Sequence, residues 1–158
     1  MRVLFVCLGN ICRSPTAEGV MRRQLADAGL GDRIEVDSAG TGSWHAGEPP
    51  DRRATAAARE RGIALDGAAR QVTREDFDAF DLIVAMDAAN ERDLLALAPD
   101  AAARAKVRRL REFDPVAAAD GDLDVPDPYF GGEDGFAHVL DVVDAGCRGL
   151  VGELRARV

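Results

Sequence analysis

Cys7 and Arg13 stand six positions apart within VLFVCLGNICRSP, residues 3–15, where an apolar run passes through a loop into Ser14-Pro15. The pair joins a sulfur nucleophile to a planar cation whose fork of N–H donors grips two oxygens of a phosphoryl group better than a lysine would. A βα turn is what would position them. Val3, Leu4, Phe5 and Val6 form a short, continuous apolar run suited to a strand buried on both faces of a parallel sheet. Ser14 is a good N-cap, Pro15 is preorganised for the first helical position, and Ala17, Val20, Met21, Leu25 and Ala28 recur at helical spacing. These signals predict a helix over residues 15–28.

In such a turn the backbone N–H groups of the loop converge into an anion-binding nest, with the positive end of the helix dipole behind them. The loop from Leu8 through Gly9, Asn10, Ile11 and Cys12 to Arg13 and Ser14 is therefore predicted to bind phosphate. Gly9 and Asn10 tolerate the left-handed backbone it needs. Cys7, at the rim, faces both the nest and Arg13, surroundings that favour a thiolate.

CLGNICRSP resembles the phosphate-binding loop of the low-molecular-weight protein tyrosine phosphatases. Three further blocks resemble the family in its order: DSAGTGSWHAGEPPDRR at 37–53, DLIVAMDAANERDLL at 81–95 and VPDPYFGGEDGF at 125–136. The resemblance implies hydrolysis of phosphotyrosine through a phosphocysteine on Cys7, with Arg13 and the loop amides stabilising charge on the equatorial oxygens. It implies that Asp127, in Asp127-Pro128-Tyr129, protonates the leaving phenolate and then acts as base toward water. It also implies that Asn10, Ser14 and Ser38 support the loop, with the Ser14 hydroxyl near the thiolate. Capping is the competing role for that hydroxyl. The substrate it implies is a phosphotyrosine-containing protein, with a tyrosine kinase among the candidates, and no cofactor is implied. Phe130 stands where some relatives carry a second tyrosine.

Trp44 and Tyr129 are the single tryptophan and the single tyrosine of a chain that is 5% aromatic, and both lie in Gly/Pro-rich segments instead of on an apolar stripe. They are expected to flank the pocket mouth and stack on a substrate ring. Residues 114–134 read as a solvated acidic loop around Asp127. Cys12, inside the phosphate loop, is a candidate redox partner for Cys7 through a reversible disulfide, or a buried thiol with no such role. Cys147 falls on the helical stripe Phe136, Val139, Leu140, Val143, Cys147, Leu150 and belongs to a core.

Two other readings remain. Thioredoxin-coupled arsenate reductases share this fold and loop but relay oxidation through further cysteines, and none lies between Cys12 and Cys147. A non-catalytic phosphate or phosphopeptide binder would have no use for Cys7 or Asp127. No metal site is expected, because two histidines and three cysteines lack ligand spacing, and His45 and His138 read as ordinary loop and surface residues.

Strand-like runs at 3–6, 34–38, 82–86 and 107–110 alternate with helical ones at 15–28, 52–61, 88–97 and 135–155. That alternation predicts a single doubly wound α/β domain over 1–158, with a four-stranded parallel sheet in the order 2-1-3-4 and helices on both faces. A net charge of -8 argues against a nucleic-acid or anionic-membrane surface, and a monomer is expected. Met1 leads almost directly into the first strand, so no signal peptide is expected. Reactive thiols without a disulfide framework fit a reducing cytoplasm, with export by another route left open.

Overall fold

The computed structural model describes residues 1–128 and 133–158. In chain order it comprises β1 (Arg2–Cys7), α1 (Arg13–Asp27), β2 (Glu35–Gly40), α2 (Arg52–Glu60), α3 (Asp76–Ala79), β3 (Leu82–Ala85), α4 (Ala88–Leu97), α5 (Ala101–Ala105), β4 (Val107–Arg109), α6 (Pro115–Asp120) and α7 (Glu133–Arg155). A 3₁₀ turn over Leu110–Phe113 separates β4 from α6. Among the described residues the strands form one parallel sheet in the order β2-β1-β3-β4, as the alternation predicts. Strand β1 is central, with Val3 opposite both Val36 and Leu82, and its last residue Cys7 opposite Gly40.

Successive side chains of β1 point to opposite faces, and each face has its own core. Val3, Phe5 and Cys7 pack with Val20 and Met21 of α1 and Leu140, Val143 and Leu150 of α7. Leu4 and Val6 pack with Phe77 of α3, Leu94 of α4 and Ala103 of α5. Val3, Leu4, Phe5 and Val6 are wholly buried, which is why the run is apolar without alternation. Each such side chain contributes about 1.5–3 kcal/mol of burial, so the strand that delivers Cys7 is firmly anchored.

Helix α1 departs from expectation at its start. It begins at Arg13, the N-cap position is Cys12, and no side chain caps it. The Cys12 carbonyl instead accepts both the Thr16 N–H at 3.1 Å and the Thr16 hydroxyl at 2.7 Å. Pro15 is accommodated in the first turn because an N–H there has no intrahelical acceptor to lose. Ser14 is thus not the cap, and its hydroxyl is free for other work. The acidic stretch after residue 114 is also not all loop. Asp114 caps α6, Pro115 opens it, and Gly121 closes it with φ 72°. The segment carrying Asp127 therefore leaves from a fixed point.

Three glycines interrupt the apolar stripe of α7, and two have a packing reason. A Cβ on Gly149 would lie 1.8 Å from the Phe113 carbonyl oxygen, and one on Gly146 would lie 2.7 Å from Leu110 Cγ. The helix thereby packs directly on the 3₁₀ turn. A Cβ on Gly152 meets nothing within 4 Å. Gly149→Ala is therefore expected to lower unfolding free energy by about 2 kcal/mol or more, as overpacking against backbone does. Gly152→Ala is expected to raise it by about 1 kcal/mol through helix propensity alone. Denaturant unfolding of the two variants checks both signs.

Candidate active site

The loop between β1 and α1 turns back over the end of the sheet. Asn10 adopts φ 57°, the left-handed backbone expected at this position. The loop also passes close to β2, since a Cβ on Gly40 would lie 2.7 Å from the Leu8 carbonyl. Cys7 sits at the turn's base, 3% exposed, and its Sγ receives the Asn10 N–H at 3.3 Å. Among the described residues, no protein acceptor is bonded to the N–H groups of Ile11, Cys12, Arg13 or Ser14. These are the unpaired donors that a helix N-terminus offers to an anion.

Hydrogen counting fixes where the Ser14 proton points. The Arg70 N–H donates to Asn10 Oδ1 at 3.0 Å, which orients the Asn10 amide. Its Nδ2 then donates to Ser14 Oγ at 2.9 Å and to Ser38 Oγ at 3.0 Å. Ser38 passes its own hydrogen to Glu18 Oε1 at 2.6 Å. Ser14 Oγ, already an acceptor, has one hydrogen left, and its nearest target is Cys7 Sγ at 2.9 Å, ahead of the Ala39 carbonyl at 3.4 Å. A hydroxyl donor and a backbone N–H thus converge on the Cys7 sulfur.

Arg13, 4% exposed, lies beside the same loop. Its Nη1 donates to Asp87 Oδ2 at 2.6 Å and to the Val125 carbonyl at 3.0 Å, while Nη2 lies 3.6 Å from Asp127 Oδ2. Burial alone would lower the guanidinium's pKa. Cys7, Asp87 and Asp127 outweigh it, and the net shift is upward, so Arg13 is a permanent cation. Asp87 divides its carboxylate, with Oδ1 accepting the Asn90 N–H at 2.8 Å as the cap of α4 and Oδ2 holding Arg13. Sequence reasoning missed Asp87. The signal available was its capping box with Asn90, which marks a helix start but not a partner 74 positions away.

Cys7, Leu8, Gly9, Ile11, Cys12, Arg13, Trp44, His45 and Asp127 line one cavity of about 170 Å³. Cys7 and Arg13 from the loop after β1 and Asp127 from the far end of the chain are thereby brought together. Trp44 is 72% exposed and Leu8 42%, giving the mouth an apolar rim. Tyr129 lies outside the described residues, as does Phe130. His45, read from sequence as an ordinary loop residue, instead lines the cavity. Its ring rests on the loop where a Cβ on Gly9 would lie 3.0 Å from Cδ2, and its Nδ1 is 2.8 Å from Glu48 Oε2. A larger groove of about 610 Å³ lies between α2 and α7, but its lining of Asp51, Arg52, Arg53, Glu60, Phe136 and alanines has no thiol or hydroxyl.

Burial, reinforced by Asp51, Cys7 and Asp127 and opposed by Arg53, pushes the Cys12 thiol up to about 12. Cys12 is thus protonated at neutral pH. Cys147 is wholly buried, its pKa is raised by burial and then Asp144, and it belongs to the core as expected.

The family described as low molecular weight phosphotyrosine protein phosphatase matches residues 2–158. The chain belongs to this phosphatase family. A protein named low molecular weight protein-tyrosine-phosphatase from Streptomyces coelicolor is 54% identical over 157 residues, covering 99% of this chain and 95% of that protein. Low molecular weight protein-tyrosine phosphatase A of Mycobacterium tuberculosis is 45% identical over 150 residues, covering 95% and 89%. Among solved structures, a protein tyrosine phosphatase from Entamoeba histolytica with Hepes in its active site superposes with a TM-score of 0.94 at 39% identity, covering 99% and 98%. The phosphatase fold and the relatives' names agree with the resemblance carried by the four sequence blocks.

Glu18, at the far end of the hydrogen-bond chain, was not singled out from sequence. Burial raises its pKa, the Ser38 hydroxyl and Arg22 lower it, Asp37 and Asp66 add to the rise, and the net shift is upward. A carboxyl with a raised folded-state pKa contributes stability below its unfolded value and loses that contribution as pH rises through the folded value. Glu18→Gln, which keeps an oxygen for Ser38, is therefore expected to gain stability over the wild type at neutral pH. The gap should close as pH falls through the carboxylate range, as read by thermal unfolding across pH.

Proposed function

We propose that this phosphatase hydrolyses phosphotyrosine in proteins through a phosphocysteine on Cys7. The observation that carries the reading is the convergence on Cys7 Sγ of the Ser14 hydroxyl and the Asn10 N–H at the foot of a cavity that also holds Arg13 and Asp127. The phosphoryl group binds to the amides of residues 8–14 and to Arg13. The thiolate attacks phosphorus, the bond to the phenolic oxygen breaks, and that oxygen takes the proton of Asp127. Water then attacks the phosphocysteine and gives its proton to Asp127. Inorganic phosphate leaves and the thiolate is restored, with Ser14 donating to it.

The mouth favours an aromatic ester because Leu8 and Trp44 present exposed apolar surface beside the cavity. We extend the reading to a monomeric single-domain enzyme of the cytoplasm, with a tyrosine kinase among its protein substrates. Free thiols at all three cysteines fit a reducing compartment. Among the described residues, no helix is long and apolar enough to cross a membrane.

Cys12 has a second use in this reading. Peroxide converts the Cys7 thiolate to a sulfenic acid with loss of hydroxide. That oxidation removes one of the negative charges holding the Cys12 proton. Cys12 sulfur then displaces water from the Cys7 sulfenic acid to form a disulfide, which an external dithiol reduces.

Phosphate release from a phosphotyrosine peptide in a chelator tests the central reading. The wild type should turn over, Cys7→Ser should lose turnover yet still bind phosphate, and Arg13→Ala should lose both; turnover by either variant contradicts the mechanism. Asp127→Asn should lower kcat/KM for phenyl phosphate by roughly 10²-fold or more and that for para-nitrophenyl phosphate far less, because only the poorer leaving group needs the proton. Peroxide-treated wild type should regain activity with dithiol. Cys12→Ser should recover less, and equal recovery would make Cys12 structural.

A further inference from the structure

The segment that carries Asp127 is fastened by a carboxylate outside the machinery described above. Asp124 Oδ1 accepts the Ala88 N–H at 2.9 Å and an Arg109 Nη1 hydrogen bond at 3.1 Å. The Asp124 carbonyl accepts from Arg111 Nη1 at 3.0 Å. The next residue, Val125, is 1% exposed, and its N–H donates to the Met86 carbonyl at 2.8 Å.

Both chains joined by Asp124 lead to Arg13. Ala88 follows Asp87, whose Oδ2 accepts from Arg13 Nη1, and Asp124 precedes Val125, whose carbonyl accepts from the same nitrogen. Asp124 thereby sets the separation of the two acceptors that hold the guanidinium. Two residues beyond Val125 lies Asp127, flanked by Pro126 and Pro128. Each proline fixes its own φ and restricts the residue before it. A shift at Asp124 is therefore transmitted to the Asp127 carboxyl, with little backbone freedom between them to absorb it.

We propose that Asp124 is a positioning residue for proton transfer: its bonds to Ala88 and Arg109 hold the Asp127 carboxyl at the cavity beside Arg13. This rests on the reading of Asp127 as the acid. A purely structural role, stabilising the N-terminus of α4 and the loop, would lower stability or all rates together without singling out proton transfer.

The test uses the full chain and compares kcat/KM for aryl phosphates from para-nitrophenyl to phenyl. The variants are Asp124→Ala, Asp124→Asn, Asp127→Asn and the Asp124→Ala/Asp127→Asn double. Asp124→Ala is expected to lower kcat/KM for phenyl phosphate by about tenfold or more, and for para-nitrophenyl phosphate by less than about threefold. Asp124→Asn, whose amide oxygen keeps the Ala88 N–H, should restore most of the loss. In the Asp127→Asn background the alanine should cost nothing further, because no acid is left to position.

Equal losses across the series, or additive losses in the double variant, overturn the proposal. If Asp124→Ala does not fold, Arg109→Met carries the same comparison, removing the Arg109 hydrogen bond to Asp124 together with its ion pair to Glu91. It must then show a smaller loss that still falls selectively on phenyl phosphate, and an equal loss across the series overturns the proposal. An Asp127→Asn enzyme indifferent to the leaving group removes the acid assignment and Asp124's role with it. A discriminating Asp127→Asn beside an indifferent Asp124→Ala removes Asp124's role alone.

Discussion

The Asn10 side-chain amide is the constraint on which the site depends. It is buried, its oxygen is claimed by the Arg70 N–H, and its two hydrogens go to Ser14 and Ser38. A buried amide left half-satisfied costs about 1–3 kcal/mol, so the arrangement tolerates little variation. Because the amide cannot turn over, Ser14 must accept from it and must spend its own hydrogen elsewhere, at Cys7. The left-handed backbone of Asn10 completes the turn that sends its N–H to the same sulfur. One residue thus shapes the loop, orients a neighbour and donates to the Cys7 sulfur. The same chain ends in Glu18, a carboxyl that burial disfavours as an anion and that the Ser38 hydroxyl and Arg22 partly compensate.

Arg13 poses the complementary problem, a cation nearly sealed from water. A buried charge is tolerable only when paired and fully hydrogen-bonded. Asp87 supplies the paired charge and the Val125 carbonyl takes a second Nη1 hydrogen bond, one from the β3–α4 turn and one from the segment after α6. The guanidinium is held by its Nη1 while the loop's unpaired amides remain for an oxyanion. Preorganised donors of this kind act without rearranging at the moment of reaction. The β3–α4 turn and the segment that carries Asp127 therefore meet at Arg13.

Local signals in the chain carried most of this architecture. The apolar run at Val3, the helical stripes and the short Cys7–Arg13 spacing lie within single elements, so the strand order and the loop were readable before any contact was known. What escaped depends on contacts distant in sequence. The Ser14 hydroxyl had two chemically sound roles, capping and sulfur contact, and Asn10, held by Arg70 60 positions away, decided between them. Asp87 announced a helix start and concealed a partner for Arg13. His45 carried no pattern of its own because its place against Gly9 is set by the turn around it. Gly149 broke a helical stripe with no local reason, and the Phe113 carbonyl explains it only in three dimensions. Asp124 was one acid among several in a polar stretch until its bonds to Ala88 and Arg109 distinguished it.

The central claim is that Cys7 carries the phosphoryl group during turnover. Rapid quenching of the enzyme in denaturant during steady-state hydrolysis of a phosphotyrosine peptide, followed by fragmentation mass spectrometry of the peptide spanning residues 3–13, reads it most directly. The account predicts a phosphoryl group on Cys7 sulfur, absent from Cys12 and absent when substrate is omitted. A phosphoryl group on another residue, or turnover during which Cys7 never carries one, would contradict it.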